Sequence, residues 1–426
     1  MKSSRYNYIF SEGNSSYWFN GIEQTFFKLP VQIGEKIEQM LHSPDEIEQV
    51  NFSFYRKLID SGFLVEDNID EVEIIRKRNE EAINRQDYFL IILPTLNCNF
   101  RCWYCIQEHV ASKMSISTIE KIKRHIDYMI DVKKISSLHL EWFGGEPFMY
   151  LNEVIAPIAQ YALQKCHEKG VFFYHSATTN GYFLHPENIN KLSSLKFRNF
   201  HITLDGTQKV HDSVKFQSGC YSAFERTLKN IDCILKNITD AEILLRINYT
   251  NDNLDEVIVD QVNSIISFEN RHRITINPKK VWQAQADEFT VDNITVLLDR
   301  FKNSGYKVVY LDIISNYLSC YSDKKFYNTI NFNGNVVKCT ACDDLYAKEA
   351  PGVLNEDGTI SWRNGFKEKF FKKRYENEMC LSCKYLPICM GVCARNYEDD
   401  SYFYCKHSDP SVDIRKSIIN YINYSL

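Results

Sequence analysis

The chain has 426 residues, 44% of them hydrophobic and 25% charged, with a mean hydropathy of -0.35. That is enough for one large domain with smaller satellites and too apolar for a disordered chain. No apolar run approaches the ~20 residues of a bilayer span, and the formal net charge of -5 sits entirely in residues 1–86, with 10 basic and 15 acidic side chains, so no basic face for nucleic acid is expected.

The opening MKSSRYNYIF lacks the basic-then-apolar layout of a secretion signal, so a cytoplasmic chain with no membrane partner is expected. Fourteen cysteines in a compartment that keeps thiols reduced point to metal ligation ahead of disulfides.

In residues 1–86 a helix starts at Pro30 and carries the stripe Ile33, Ile37, Met40 and Leu41. A second runs through Phe54, Leu58 and Ile59 to Gly62. Phe63–Val65 and Val72–Ile75 read as two strands around the turn Glu66-Asp67-Asn68, which gives a winged-helix pattern, and the charged run 76–81 reads as a solvated linking helix. From 87 to 310 short apolar runs alternate with amphipathic segments. The runs are Phe89–Leu93, Leu138–Trp142, Val171–Tyr174, Phe200–Leu204, Leu244–Ile247 and Ile274–Ile276; the segments are 116–131, 152–169, 187–194, 222–236, 254–267 and 291–304. Such alternation predicts an α/β fold with a parallel sheet, a partial (β/α)6 barrel with chemistry at its C-terminal strand ends. Residues 311–426 break the rhythm and hold eight cysteines, the texture of a small domain built on metal clusters.

After the first strand comes Cys98-x3-Cys102-x2-Cys105. Zinc sites usually take two Cys-x2-Cys pairs and a redox dithiol needs two thiols. Three close thiolates can instead hold three irons of a [4Fe-4S] cube and leave the fourth open. Here the sequence resembles the radical S-adenosylmethionine (SAM) superfamily, in which the open iron chelates the amino and carboxylate groups of SAM. Tyr104, before the third cysteine, is usual there. The turn Gly144-Gly145-Glu146-Pro147 ends the second strand, and the resemblance implies that it binds the SAM amino group. Thr178-Thr179-Asn180-Gly181 ends the third strand and Thr203-Leu204-Asp205-Gly206 the fourth. The resemblance places a SAM-binding hydroxyl at Thr203 and a cation at Lys215, where relatives more often carry Arg; Lys keeps the charge and loses the bidentate fork. Asn180, Arg246 and Asn248 are further cofactor-binding candidates.

The later cysteines run Cys320-x13-Gly334-x4-Cys339, then Cys380-x2-Cys383-x5-Cys389-x3-Cys393 and Cys405. This order resembles the SPASM extension of radical SAM enzymes, with two auxiliary clusters and hence three [4Fe-4S] clusters in all. By that pattern one takes Cys380, Cys383, Cys389 and Cys405, the other Cys320, Cys339 and Cys393. The last place on the second falls to Cys342 or stays open for substrate; a structural zinc site is the competing reading of 380–393. Cys166, Cys220 and Cys233 read as inert apolar residues. Asp343 and Asp344 are the general-base candidates, against the ordinary reading of solvated turn residues.

The whole resembles SPASM peptide maturases: an N-terminal domain (1–86) that captures the leader of a ribosomally made precursor peptide, a barrel (87–310) and a cluster domain (311–426). The resemblance implies hydrogen abstraction by a 5'-deoxyadenosyl radical leading to a thioether or carbon-carbon crosslink, with electrons from a flavodoxin or ferredoxin. Two alternatives stand beside it. One is a maturase oxidising a residue of a folded protein such as a sulfatase; the other is an iron-sulfur redox sensor. For the N-terminal domain, a structural cap on the barrel competes with leader capture.

Overall fold

A computed structural model describes all residues except 251, 252, 282, 284–289, 311–319, 342, 348, 395–413, 425 and 426, and the side chains of 290–293 and 343–344. The described residues form two compact units. The first comprises those of 1–85, 311–325 and 371–425, the second those of 86–310 and 326–370.

In the first unit, β1 (Lys2–Ser3) pairs antiparallel with β5 (Leu64–Val65), and β2 (Asn7–Glu12), β3 (Ser15–Asn20) and β4 (Phe26–Pro30) form an antiparallel meander. Helices Val31–Met40, Pro44–Val50 and Phe52–Asp60 follow. Pro30 supplies the fixed φ that starts the first, and the Asn51 side chain caps the third by accepting from Phe54 N at 3.0 Å. Trp18, Leu58, Phe63 and Leu64 bury the helices against the meander.

The expected wing does not form. Val72–Ile75 lies in the helix Glu71–Asn84, because Asp70 caps its start, accepting from Val72 N at 2.9 Å, and Glu71, Ile75 and Asn79 recur every four residues on a buried face. The short strand 64–65 pairs with the chain's second and third residues instead. C-terminal segments complete this unit: Tyr8 and Phe19 pack with Ile388, Ile418 and Tyr421, and Tyr6, Ile22 and Ile75 with Tyr375 and Leu386.

The second unit carries β6 (Asp87–Ile92), β7 (Ser137–Trp142), β8 (Phe172–Thr179), β9 (Asn199–Leu204), β10 (Glu242–Tyr249), β11 (Ile274–Lys280) and β12 (Lys307–Val308). These are parallel and neighbour one another in chain order, so each crossover helix winds the same way and the strand ends stay together. The expected strands and helices of this region all form, with the third strand extended to Thr179. Beyond β6 the sheet continues through β13 (Tyr327–Ile330), parallel to it, then antiparallel β14 (Asn335–Val337), β15 (Gly352–Leu354) and β16 (Ile360–Trp362). Leu90, Ile92, Leu140, Trp142, Ala177, Phe200 and Ile202 are buried on the helix-covered side.

Candidate active site

Six strand ends of the second unit converge on one cavity of about 230 Å³, the end of β11 contributing Val281 and Gln283. The loop after β6 brings Cys98, Cys102, Tyr104 and Cys105, the turn after β7 Gly144 and Gly145, and β8 Thr178, Thr179 and Asn180. Thr203 comes from β9 with Lys215 twelve residues on, and Arg246 and Asn248 from β10.

The Gly-Gly turn is clamped to the cysteine loop. Gly145 N donates to Thr95 O at 3.1 Å and Glu146 N to Asn97 O at 2.9 Å. A Cβ on Gly145 would stand 2.0 Å from Asn97 O, and one on Gly144, whose φ is +110°, would stand 2.4 Å from Thr95 O. Only glycine permits this approach.

Glu146 and Pro147, expected among the cofactor ligands, are buried and do not line the cavity. The Glu146 carboxylate accepts from Thr179 Oγ1 at 2.8 Å, Asn180 N at 2.8 Å and Phe148 N at 3.0 Å, tying β7 to β8. Burial pushes its pKa up to about 7 against the pull of those hydrogen bonds. Asn180 donates to Asn99 Oδ1 at 2.9 Å and to Cys98 Sγ at 3.7 Å. Its side chain thus faces the cysteine loop, while its backbone N–H holds Glu146 just after the glycine turn.

A residue not named as a site candidate organises the opposite wall. Asp205, one of the buried polar residues, accepts the Tyr104 hydroxyl and the Asn248 amide (3.1 Å). Lys215 Nζ approaches its other oxygen at 2.9 Å as a charge contact. Burial works to raise the Asp205 pKa, but the Lys215 charge, His211 and these hydrogen bonds hold it below the ordinary carboxylate value. Burial, then the Asp205 charge, raises that of Tyr104, so the phenol stays a donor. The signal was in the sequence: Asp205 shares its turn with Thr203.

The donor set suits an iron-sulfur cube. Burial pushes the Cys98 thiol up to about 12 and raises that of Cys102; without a cation these thiolates are disfavoured. Phe100 N donates to Cys98 Sγ at 3.4 Å, Ala341 N to Cys339 Sγ at 3.4 Å and Tyr385 N to Cys383 Sγ at 3.3 Å. In each case the donor is two residues after the cysteine, an arrangement that stabilises thiolate ligands and tunes cluster potential. Among the described residues no three ligand-type side chains converge on a single-ion point; a cube gives each thiolate its own iron, so its ligands surround a cavity. No described cysteine is disulfide-bonded. Cys342 and Cys405, and the side chains of Asp343 and Asp344, lie outside the described residues.

The Radical SAM superfamily description matches residues 92–259, the segment that carries the three-cysteine loop and the strand-end turns. The chain contains a radical SAM domain. The chain is similar to the radical SAM cyclopropyl synthase TigE of Paramaledivibacter caminithermalis, 23% identical over 403 residues that span 82% of this chain and 76% of that one. It is similar too to the cysteine-type anaerobic sulfatase-maturating enzyme of Clostridium novyi, 22% identical over 340 residues, 72% of this chain and 88% of that one. Streptococcus suis SuiB bound to S-adenosylmethionine shares its fold with a TM-score of 0.53 at 15% identity, over 95% of this chain and 99% of that one.

Proposed function

We propose that this radical SAM enzyme modifies a ribosomally made precursor peptide, making an oxidative thioether or carbon-carbon crosslink, with SAM held in the cavity at Cys98, Cys102 and Cys105. The observation that carries the peptide reading is the meander β2–β4. Among the described residues its last strand pairs only with β3, which leaves its other edge without a strand partner there, and Phe26 on it is 41% exposed. An extended leader can add there as a further strand. SuiB, which resembles this chain along nearly its whole length, has a structure bound to its precursor peptide SuiA, in support of the same substrate class.

Held at Cys98, Cys102 and Cys105, SAM and the cluster would supply radical hydrogen-abstraction chemistry. This chain's residues hold and shield. The Gly144-Gly145 turn lets main chain approach the ligand, Asn180 fixes the turn beside Cys98, and the Tyr104–Asp205–Asn248 hydrogen bonds lock the cysteine loop to β9 and β10. Cys320, Cys339, Cys342, Cys380, Cys383, Cys389, Cys393 and Cys405 are proposed to hold two auxiliary [4Fe-4S] clusters, with electrons delivered by a flavodoxin or ferredoxin. No described helix is long and apolar enough to cross a membrane; a cytoplasmic location would keep the cluster thiols reduced.

The similarity to the sulfatase-maturating enzyme favours a second reading, oxidation of a residue in a protein substrate. Fluorescence anisotropy separates the two, with the full chain and labelled peptides encoded by short reading frames beside its gene. A leader should bind with micromolar or better affinity, and Phe26→Asp should weaken it at least fivefold. No binding by any such peptide would leave the protein-maturase reading standing.

A further inference from the structure

The cavity has two cations, and the structure gives them different work. Lys215 is only 2% exposed. Its Nζ donates to Thr203 O at 2.8 Å and Thr203 Oγ1 at 3.0 Å and meets Asp205 Oδ2 at 2.9 Å. Three protons face three oxygens, and its charge is matched by a carboxylate. Nothing remains with which to bind a ligand anion.

Arg246 is arranged the other way. Its Nε donates to Asn248 Oδ1 at 2.8 Å. The Asn248 amide is oriented by its bonds to Tyr104 Oη at 3.0 Å and Asp205 Oδ1 at 3.1 Å, so its oxygen must point at the guanidinium. The two terminal nitrogens of Arg246 have no partner among the described residues, while its side chain lines the cavity. Arg246 stands directly between Thr203 on β9 and Asn277 on β11 in the sheet register, hence on the same face. The Asn277 side-chain oxygen is buried and has no partner among the described residues. A planar fork with two open donor groups, charged at any working pH and held at one end, is the shape that takes a carboxylate in a bidentate grip.

We propose that Arg246 is the carboxylate receptor of this cavity, gripping the methionyl carboxylate of SAM, and that Lys215 is the internal counter-ion that fixes Asp205. The assignment rests on reading the cavity as a SAM site. It moves the carboxylate contact from the position after β9, where the family resemblance puts it, to β10. The departure at position 215 then has a physical sense: a lysine fits a closed three-oxygen cage, and the fork reappears one strand away.

The test is equilibrium dialysis of the anaerobically reconstituted holoenzyme with SAM and with decarboxylated SAM, which lacks only the carboxylate. The parent should prefer SAM. Arg246→Gln should cut SAM affinity tenfold or more and leave the decarboxylated compound within twofold, so the preference disappears; Arg246→Lys should restore part of it. Arg246 faces the cavity, so melting curves of these variants should overlay the parent's. Lys215→Met should weaken both compounds alike or lower the melting temperature. If Arg246→Gln keeps the parental preference, or if Lys215→Met abolishes the preference while Arg246→Gln does not, the assignment is overturned. If the parent binds neither compound, the SAM reading of the cavity itself fails, a result distinguishable from the first because it appears without any substitution.

Discussion

Gly145 shows how one missing atom builds the site. Its Cβ would overlap the Asn97 carbonyl at 2.0 Å and the Leu96 carbonyl at 2.7 Å, both backbone atoms that cannot swing aside. Gly145→Ala should therefore push the turn after β7 away from the cysteine loop, at a cost on the order of 1–3 kcal/mol. It should also lower the iron bound at Cys98, Cys102 and Cys105. Iron analysis and thermal melting of the reconstituted variant check this; a variant with parental iron and melting temperature would show that the clamp is dispensable. Gly145→Ala thus probes placement, and its effect should exceed that of Gly219→Ala. At Gly219 φ is +77° and nothing lies within 4 Å of the added carbon, so that change carries only the backbone strain.

Among elements, the helix Ile116–Asp127 is joined to the β15–β16 turn through His125. Its Nδ1 lies 2.6 Å from Gly358 O and its Nε2 2.6 Å from the Tyr88 hydroxyl. A carbonyl only accepts, so Nδ1 carries the proton and Nε2 accepts from Tyr88. Gly358, at φ +83°, lets the turn touch the helix backbone, where a Cβ would meet Arg124 C at 2.4 Å. Burial lowers the His125 pKa from 6.5 to about 4. In the window between those values the unfolded chain binds the proton and the folded one does not, so stability from this group is present above about 6.5 and lost as pH falls towards 4. The loss is on the order of 3 kcal/mol by pH 4, about 2 kcal/mol of it by pH 5. Urea midpoints at pH 7.5 and 5 should show it, and His125→Asn should flatten the dependence by that share. Part of the slope should persist, because burial also lowers His139, His175 and His211. An unchanged slope in the variant would refute the linkage.

At the scale of the molecule, the N-terminal segment is not a detachable module. Tyr6, Tyr8, Phe19 and Ile22 share cores with Tyr375, Leu386, Ile388, Ile418 and Tyr421, and Arg76 forms a bidentate pair with Glu376 at 2.8 and 2.9 Å. Reconstituted enzyme should carry about twelve irons, four per cluster. Deleting residues 1–85 should strip the partner surface from the segment that holds Cys380, Cys383 and Cys389, and iron should fall towards about four. Iron analysis with limited proteolysis reads this out: full iron retention and a protease-resistant 371–425 segment would mean that the C-terminal segment stands alone. Leader capture is for this reason better tested with the Phe26 substitution in the whole chain than by truncation.

Periodicity alone determined the strand–helix alternation from β6 to β11, because strands buried on both faces must be continuous apolar runs and their crossover helices amphipathic. The cysteine spacings and glycine turns, which are local, were equally legible, and so was the helix start at Pro30. The sequence also carries a hairpin signal: Glu12-Gly13-Asn14 between aromatic runs, with Gly13 at φ +59°, makes the β2–β3 turn. Only tertiary structure decided the rest. Val72–Ile75 has a composition that suits a strand, and a buried helix face settled it otherwise. The extension of the sheet through β13–β16 depends on a pairing with β6 across more than two hundred residues, which no local pattern encodes. Lys215 and Arg246 look equivalent as cations in the sequence. Their different work follows from Asp205, which pairs directly with one and is joined to the other by hydrogen bonds through Asn248, and that is a matter of neighbours in space.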